Sequence, residues 1–275
     1  MATINCKQSL IDFSVPKVMG IVNITPDSFY DGGKSTSEAA ILKQTEKMLK
    51  DGATFIDVGG YSSRPNAEDI SVQEEIDRAI PAIELILSHF PDTLISIDTF
   101  RSDVARAAVE SGAALVNDIS GGDLDSKMIQ TVAELQVPYI VMHMRGTPKT
   151  MTQLTDYDNI TTEVIYDLSA KIRKARAAGI NDIIVDPGFG FAKTPRQSFE
   201  LLKNLKLLKA LEVPILSGVS RKSFIYKTLQ ITPQEALNGT TVMNTIAILH
   251  GSAILRVHDV KEAMECIKLL QNLAM

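Results

Sequence analysis

Residues 94–118, LISIDTFRSDVARAAVESGAALVND, decide the fold, because they contain one complete strand–helix–strand unit. The runs LISID (94–98) and ALVND (114–118) are almost continuously apolar, which is typical of parallel strands buried on both faces. The segment between them predicts a helix, and Gly112 lies where that helix should end. The unit therefore predicts two neighbouring parallel strands of an α/β protein.

The same alternation extends over the whole chain. Eight such strand–helix alternations predict a (β/α)8 TIM barrel formed by residues 1–275 as a single domain, with an open doubly wound sheet as the alternative. Residues 1–17 precede the first barrel strand, and we expect a short hairpin there that closes the bottom of the barrel. The six apolar runs outside the opening unit are VMGIVN (18–23), TFIDV (54–58), PYIVMH (138–143), DIIVD (182–186), VPILSG (213–218) and SAILRVH (252–258).

Composition excludes several classes of protein. The chain has 275 residues, of which 45% are hydrophobic, and its net charge of −5 gives no general basic field for nucleic acid. No run of about 18 apolar residues predicts a membrane span. Cys6 and Cys266 have no partner at metal-ligand spacing, which argues against a disulfide framework or a zinc site. The N-terminus does not resemble a secretory signal, so we expect a cytoplasmic protein.

Polar residues stand at the carboxyl ends of the predicted strands, where barrels of this kind build their active sites. A first group contains carboxylate, amide and ammonium groups able to converge on one planar polar ligand. A carboxylate can accept two parallel N–H bonds from a guanidine-like edge, and a lysine can donate to a ring oxygen or nitrogen. The members of this group are Asp98, Asn117, Asp186 and Lys222.

A second group is cationic. Arg64, Arg256 and His258, with Ser63 beside them, follow the second and eighth predicted strands, which flank the first strand in a closed barrel. They are therefore expected on the same side as Asn23, and their composition suits an oxyanion such as a diphosphate.

Other polar residues at strand ends have structural interpretations. Asp57 fits a helix cap as well as a ligand contact, and both remain open. For Asp118 the structural interpretation is favoured, and His143 is expected to hydrogen-bond within its own loop.

Eight motifs in chain order resemble the dihydropteroate synthases, a group of pterin-binding enzymes. Together they cover about Val18 to His258, which is nearly the whole chain. They are MGIVNITPDSFYDGG (19–33), DVGGYSSRPNA (57–67), SIDTFR (96–101), VNDISGG (116–122), MHMRGTPKTM (142–151), DPGFGFAKT (186–194), SGVSRKSF (217–224) and RVHDV (256–260).

The resemblance implies an enzyme of folate biosynthesis and a target of sulfonamides. Such an enzyme joins (7,8-dihydropterin-6-yl)methyl diphosphate to 4-aminobenzoate, giving 7,8-dihydropteroate and diphosphate. It also implies Mg²⁺ on the diphosphate, held by Asn23, and a homodimer, for which MNTIAIL (243–249) offers apolar surface.

The resemblance further assigns residues to three parts of the site. The pterin is assigned Asp98, Asn117, Asp186, Lys222, Arg256, Ile119, Met142, Phe191 and Gly218. The diphosphate is assigned Asn23, Ser63, Arg64, Arg256 and His258. The aminobenzoate is assigned Phe29, Pro65, Lys222 and Ser223.

From these roles we expect a dissociative displacement without a covalent enzyme intermediate. Cations stabilise the departing diphosphate, anionic Asp98 stabilises positive charge on the pterin methylene, and the arylamine attacks. Residues 24–33 are expected to form a lid with a hinge at Gly32 and Gly33, a wall at Phe29 and a carboxylate at Asp31 as a further catalytic candidate.

Three positions depart from the usual family pattern. Tyr61 stands in place of Glu, Ser63 in place of Thr, and Asn66 in place of Gly. Ser63 keeps the hydroxyl, so its expected role in binding the diphosphate is retained. Tyr61 and Asn66 change the loop of the second motif, residues 57–67.

Three other functions fit parts of the pattern. A methyltetrahydrofolate–corrinoid methyltransferase domain shares the pterin-binding barrel but has no use for the Arg64 and His258 cluster. A catalytically silent binding paralogue would lack loop residues that are present here, such as Asn23 and Phe29. A Schiff-base aldolase would use Lys222 as its nucleophile.

Overall fold

The computed structural model describes residues 3–7, 9–24, 34–62 and 69–273. Two short antiparallel strands form an N-terminal hairpin, β1 and β2, and eight strands, β3 to β10, form one parallel sheet. The strands are β1 (Thr3–Cys6), β2 (Ser9–Asp12), β3 (Lys17–Asn23), β4 (Phe55–Gly59), β5 (Leu94–Asp98), β6 (Leu115–Asp118), β7 (Tyr139–Met142), β8 (Ile183–Asp186), β9 (Leu216–Ser217) and β10 (Ile254–Val257).

The parallel sheet is a barrel. Its strand order is β8-β7-β6-β5-β4-β3-β10-β9, and a parallel bridge between Val185 and Ile215 joins the two outer strands. All eight predicted strands are present, so the predicted TIM barrel is confirmed and the open sheet is excluded. The seventh strand of the barrel, β9, is shorter than the predicted run 213–218, because only Leu216 and Ser217 have full strand pairing.

Nine α-helices connect the strands in the described part of the chain. They are α1 (Lys34–Lys50), α2 (Val72–His89), α3 (Ser102–Glu110), α4 (Met128–Leu135), α5 (Ile160–Ala177), α6 (Pro195–Lys203), α7 (Ser223–Leu229), α8 (Leu237–Leu249) and α9 (Val260–Leu273), with 3-10 turns at Met151–Gln153 and Leu205–Leu211. In the described ranges, no helix is both long and apolar enough to cross a membrane.

The local sequence explains where several helices begin and end. Ser71 caps α2 by accepting a hydrogen bond from the Glu74 amide at 3.1 Å. Gly112 has a positive φ of 104° two residues after α3, a conformation that glycine adopts without strain. α8 begins only at Leu237, although Pro233 would suit the first position of a helix. The Glu235 carboxylate instead accepts bonds from the Thr232 amide and hydroxyl, which fixes a local turn before the helix.

The N-terminal hairpin packs against the lower end of the barrel. Ile4 and Cys6 of β1 are buried at 1% and 0% exposure. They join a cluster of side chains from the amino-terminal halves of the barrel strands, among them Met19, Phe55 and Ile254. Ile11 and Phe13 pack on the same cluster. The hairpin thus closes the bottom of the barrel, as predicted, and leaves the carboxyl ends of the strands for chemistry.

Candidate active site

An arginine at the end of β10 lies between two carboxylates. Arg256 Nε donates to Asp57 Oδ2 and Arg256 Nη2 donates to Asp98 Oδ2, both at 2.6 Å. Asn117 Nδ2 donates to the same Asp57 oxygen at 3.1 Å. Four strand ends, β4, β5, β6 and β10, are therefore joined by one hydrogen-bonded network at the carboxyl rim.

Asp57 is the buried centre of this network. Its side chain is fully buried, and its Oδ1 atom has no hydrogen-bond partner among the described residues. The sequence left two roles open for Asp57, a helix cap and a ligand contact. In the structure its carboxylate binds Arg256 and Asn117 and does not cap a helix. Its partner Arg256 lies 199 positions away, so only closure of the barrel reveals the contact.

A second cluster lies between β8 and β9. Around Gly218, the position of an added Cβ would be 3.7 Å from both Asp186 Oδ2 and Lys222 Nζ, and 3.9 Å from Arg256 Cβ. Lys222 Nζ also donates to the Phe189 carbonyl at 2.5 Å, and Asp186 Oδ1 accepts from the Gly188 amide at 2.7 Å. The absence of a side chain at Gly218 keeps open the space that these groups face.

Burial shifts the proton affinities of these groups. It raises the pKa of Asp98 to about 7, against the opposing effect of Arg256. It lowers the pKa of Lys222 to about 8, although Asp186 favours the charged form. Burial also raises the pKa of Asp186, with Lys222 as the main opposing charge. Burial opposes the charge on Arg256, but Asp57 and Asp98 outweigh it and raise the pKa of the guanidinium.

Apolar side chains form one wall of the rim. Ile119, Met142 and Phe191, all predicted site residues, belong to one small cluster with Met144, Met151 and Ala192. The ammonium of Lys222 lies 4.8 Å from the centre of the Phe191 ring. A flat ligand between this wall and the polar groups would meet hydrophobic contacts on a face and hydrogen bonds at its edges.

Only some residues of the predicted diphosphate-binding group lie in the described part of the chain. Asn23, at the end of β3, lies next to Gly59, where an added Cβ would be 3.9 Å from Asn23 Oδ1 and 3.7 Å from Asp98 Oδ2. His258 follows β10 and is exposed, with its Nδ1 atom 3.0 Å from the Ser220 hydroxyl. Ser223 is the first residue of α7. The predicted residues Phe29, Asp31, Ser63, Arg64 and Pro65 lie outside the described residues.

Asp118 has a structural role, as the sequence favours. Its carboxylate accepts hydrogen bonds from the Ser120 amide and hydroxyl, the Gly122 amide and the Tyr139 hydroxyl, at 2.6 to 2.8 Å. These partners fix the turn after β6 and satisfy both carboxylate oxygens. Asp118 therefore supports the strand end that carries Asn117.

Tyr61 packs near the start of the second loop. Its ring meets Phe100 edge-on, with centroids 5.1 Å apart, and Arg101 lies 5.2 Å from the centre of the Tyr61 ring. Arg101 also forms an ion pair with the buried Glu75 carboxylate at 2.9 Å. An aromatic residue at position 61 is thus accommodated by packing on the arginine and phenylalanine that follow β5.

The described residues contain no group of three or more acidic, histidine or cysteine side chains placed to hold a metal ion. The amide oxygen of Asn23 is the one predicted ligand. Mg²⁺ retains several waters and takes few protein oxygens when it is bound through substrate phosphates. A single amide oxygen at the rim is compatible with a cation of that kind.

Comparison with known proteins agrees with this geometry. A family model described as pterin binding enzyme matches residues 19–258. The chain is 45% identical to the dihydropteroate synthase of Synechocystis over 93% of its own length and 89% of the relative's. It is 46% identical to the folic acid synthesis protein fol1 of Schizosaccharomyces pombe, of which it spans 35%, or about a third.

Solved structures have the same architecture. The dihydropteroate synthase of Xanthomonas albilineans with 4-aminobenzoic acid has a TM-score of 0.92 at 36% identity, with 100% of this chain and 99% of that chain covered. The Yersinia pestis dihydropteroate synthase in a sulfonamide drug complex has a TM-score of 0.93 at 38% identity, with 99% of each chain covered.

Proposed function

The chain belongs to the pterin-binding enzyme family, together with dihydropteroate synthases, and from that premise we propose that it is a transferase of folate biosynthesis. It condenses (7,8-dihydropterin-6-yl)methyl diphosphate with 4-aminobenzoate and releases diphosphate. The observation that carries the proposal is the convergence of Asp186, Lys222 and Arg256 around Gly218, in a barrel that matches dihydropteroate synthases over its full length.

The pterin occupies the space beside Gly218. The buried Asp186 carboxylate accepts N–H bonds from the 2-amino and N3 edge of the pterin, and Lys222 donates to its ring oxygen. Asn117 and Asp98 contact the opposite edge. Arg256 stacks on one face, while Ile119, Met142 and Phe191 line the slot, and the bonds to Asp57 and Asp98 hold the Arg256 guanidinium in place.

The diphosphate and the aminobenzoate lie towards β3, β4 and β10. Ser63, Arg64, Arg256 and His258 bind the phosphoryl oxygens, and Asn23 holds Mg²⁺, which supplies charge neutralisation of the leaving group when bound. Phe29, Pro65, Lys222 and Ser223 bind the aminobenzoate. Sulfonamides are proposed as competitors for this last subsite.

The reaction is a displacement at the pterin methylene carbon. Arg64, Arg256 and His258 stabilise the negative charge that develops as the C–O bond to diphosphate breaks. Asp98, as a carboxylate, stabilises the positive charge on the pterin and methylene. The neutral arylamine nitrogen then forms the new C–N bond and loses a proton, so no strong general base is required.

The direct test is to measure diphosphate release from the two substrates, with and without Mg²⁺. We expect release that depends on both substrates and on the metal, with stoichiometric 7,8-dihydropteroate, and none for Asp186→Asn. Transfer of a methyl group to a corrinoid without diphosphate release would replace this function with that of a methyltransferase. Trapping of a carbonyl substrate on Lys222 by borohydride would instead indicate an aldolase.

We also propose a homodimer in a cytoplasmic, single-domain enzyme. The dimer proposal is supported by exposed apolar side chains on the last two helices, Val242 and Leu249 of α8 and Leu269 and Leu273 of α9, which are 46% to 80% exposed. Sedimentation of the wild-type protein and of Leu249→Glu would test whether this face joins two copies.

A further inference from the structure

Lys193 is a buried lysine after β8 that the proposed reaction does not use. Its side chain is 7% exposed. The ammonium donates to the Gly188 and Phe191 carbonyls at 2.9 Å and to His143 Nδ1 at 2.8 Å, and it lies 3.4 Å from the His143 carbonyl. All four acceptors are neutral, and they belong to the end of β7 and to the loop after β8.

A second buried lysine shows how unusual this environment is. Lys171, 2% exposed, donates to the Met142 carbonyl and forms ion pairs with Asp123 and Asp167, each at 3.1 Å. Within the described ranges, no carboxylate forms an ion pair with Lys193. A buried ammonium without such a partner is costly, and burial lowers the pKa of Lys193, while Asp186 is the leading charge that favours its ionised form.

The loop bound by Lys193 is also the support of the pterin subsite. Gly188, whose carbonyl binds Lys193, donates its own amide to Asp186 Oδ1 at 2.7 Å. The carbonyl of Phe189 binds Lys222 at 2.5 Å, and the Phe191 ring lies against the same ammonium. The loop 187–192 is therefore held by Lys193 on its buried side and by Lys222 on the side of the proposed ligand.

We infer that Lys193 is a positioning residue for the pterin subsite, a role that rests on the proposed function. Its hydrogen bonds fix the loop 187–192, so that the Asp186 carboxylate and the Phe191 ring are already placed for the heterocycle. When protonated, its ammonium also adds to Lys222 and Arg256 in favouring the ionised form of Asp186, which is needed to accept two N–H bonds. Lys193 itself makes no contact with the substrate.

Two variants separate this role from a merely structural one. Lys193→Met removes the donors and the charge while retaining much of the volume, and Lys171→Met is the matched control for loss of a buried lysine. Calorimetry with 6-hydroxymethylpterin measures the subsite without the diphosphate. We expect the dissociation constant to rise at least roughly tenfold in Lys193→Met, equal to about 1.4 kcal/mol, and to stay near the wild-type value in Lys171→Met.

The pH dependence of binding gives an independent readout. The charged groups that face Asp186 are Lys222 from the loop after β9, Arg256 from β10 and Lys193, while burial keeps His143 beside β7 neutral. Loss of one cation makes Asp186 easier to protonate, so the acid limb of pterin binding should move to higher pH in Lys193→Met. Should that protein not fold, Lys193→Gln, which keeps two N–H donors but no charge, should show the same displacement.

An unchanged dissociation constant and an unchanged acid limb in the Lys193 variants would overturn the inference, even where their melting temperatures fall. That result differs from failure of the proposed function. If wild-type protein neither binds the pterin nor releases diphosphate, the proposed function itself is wrong.

Discussion

The fully buried carboxylate of Asp57 supports the guanidinium of Arg256 from below the proposed pterin slot. It contacts Arg256 and Asn117, and it lies deeper than Asp98, whose side chain is 17% exposed. Removal of one partner of a buried ion pair leaves an uncompensated charge, which costs more than loss of a partly solvated partner.

Asp57→Asn should therefore be more destabilising than Asp98→Asn. We expect a loss of about 3–5 kcal/mol in unfolding free energy for Asp57→Asn and a smaller loss for Asp98→Asn, measured by urea unfolding. Both should weaken pterin binding, because both release Arg256. Equal stabilities of the two variants would show that depth of burial does not govern this network.

The pH profile should follow Asp98 and Lys222. Burial raises the pKa of Asp98 to about 7, so the carboxylate is lost as the pH falls below that value. Burial lowers the pKa of Lys222 to about 8, so its charge is lost as the pH rises above that value. We expect kcat/KM for the pterin diphosphate to have a narrow maximum between these limits.

Lys222→Arg tests the alkaline limb. A guanidinium stays charged in this range, so kcat/KM of the variant should no longer fall above about pH 8. Its maximum kcat/KM should be lower than that of the wild type, because the planar guanidinium differs in shape from an ammonium. An alkaline limb at the same pH in Lys222→Arg would assign that titration to another group.

At the scale of the elements, the ends of β7 and β8 approach closely at one glycine. Gly188 has a φ of 69°, and a Cβ there would overlap the carbonyl oxygen of His143. Gly179, after α5, has a φ of 95° with nothing within 4 Å of an added Cβ. The two glycines therefore separate the cost of backbone strain from the cost of a steric clash.

Gly179→Ala should cost about 1–2 kcal/mol from its left-handed conformation and leave kinetics unchanged. Gly188→Ala should cost more and raise KM for the pterin diphosphate, because relief of the clash displaces the loop that carries the Asp186 contact. Thermal unfolding and steady-state kinetics of both proteins would check this. A normal KM in Gly188→Ala would show that the loop position is not critical.

Some elements can be predicted from sequence and others cannot, for identifiable reasons. The site residues at the ends of β5, β6 and β8 can be predicted from the sequence. Each apolar run of a buried parallel strand there ends in or next to a polar residue, Asp98, Asn117 or Asp186, which marks the carboxyl rim. The role of Lys193 cannot be predicted from the sequence, since a lysine just before a helix usually faces solvent. Its acceptors are three backbone carbonyls and the ring of His143, which the sequence does not place beside it. The pairing of Asp57 with Arg256 depends on barrel closure, which no local pattern encodes.

At the scale of the whole molecule, the barrel has two chemically different ends. The amino-terminal end is filled by apolar side chains from the strands and from the hairpin, including Ile4 and Cys6. The carboxyl end holds the buried carboxylates, lysines and arginine of the candidate site. In barrels of this type, residues at the lower end contribute to stability and residues at the upper end contribute to catalysis.

This division predicts that the hairpin affects stability without affecting the reaction. Ile4, 1% exposed, fills the lower layer, so Ile4→Ala should cost about 2–5 kcal/mol through lost burial and a residual cavity. Leu10, in the same hairpin, is 71% exposed, and Leu10→Ala should change stability by less than about 0.5 kcal/mol. Below the melting temperature of either variant, KM for both substrates should equal the wild-type value, because the chemistry takes place at the opposite end of the strands. A raised KM in Ile4→Ala would instead mean that the two ends are mechanically coupled through the strands, and that stability and catalysis in this barrel are not separable.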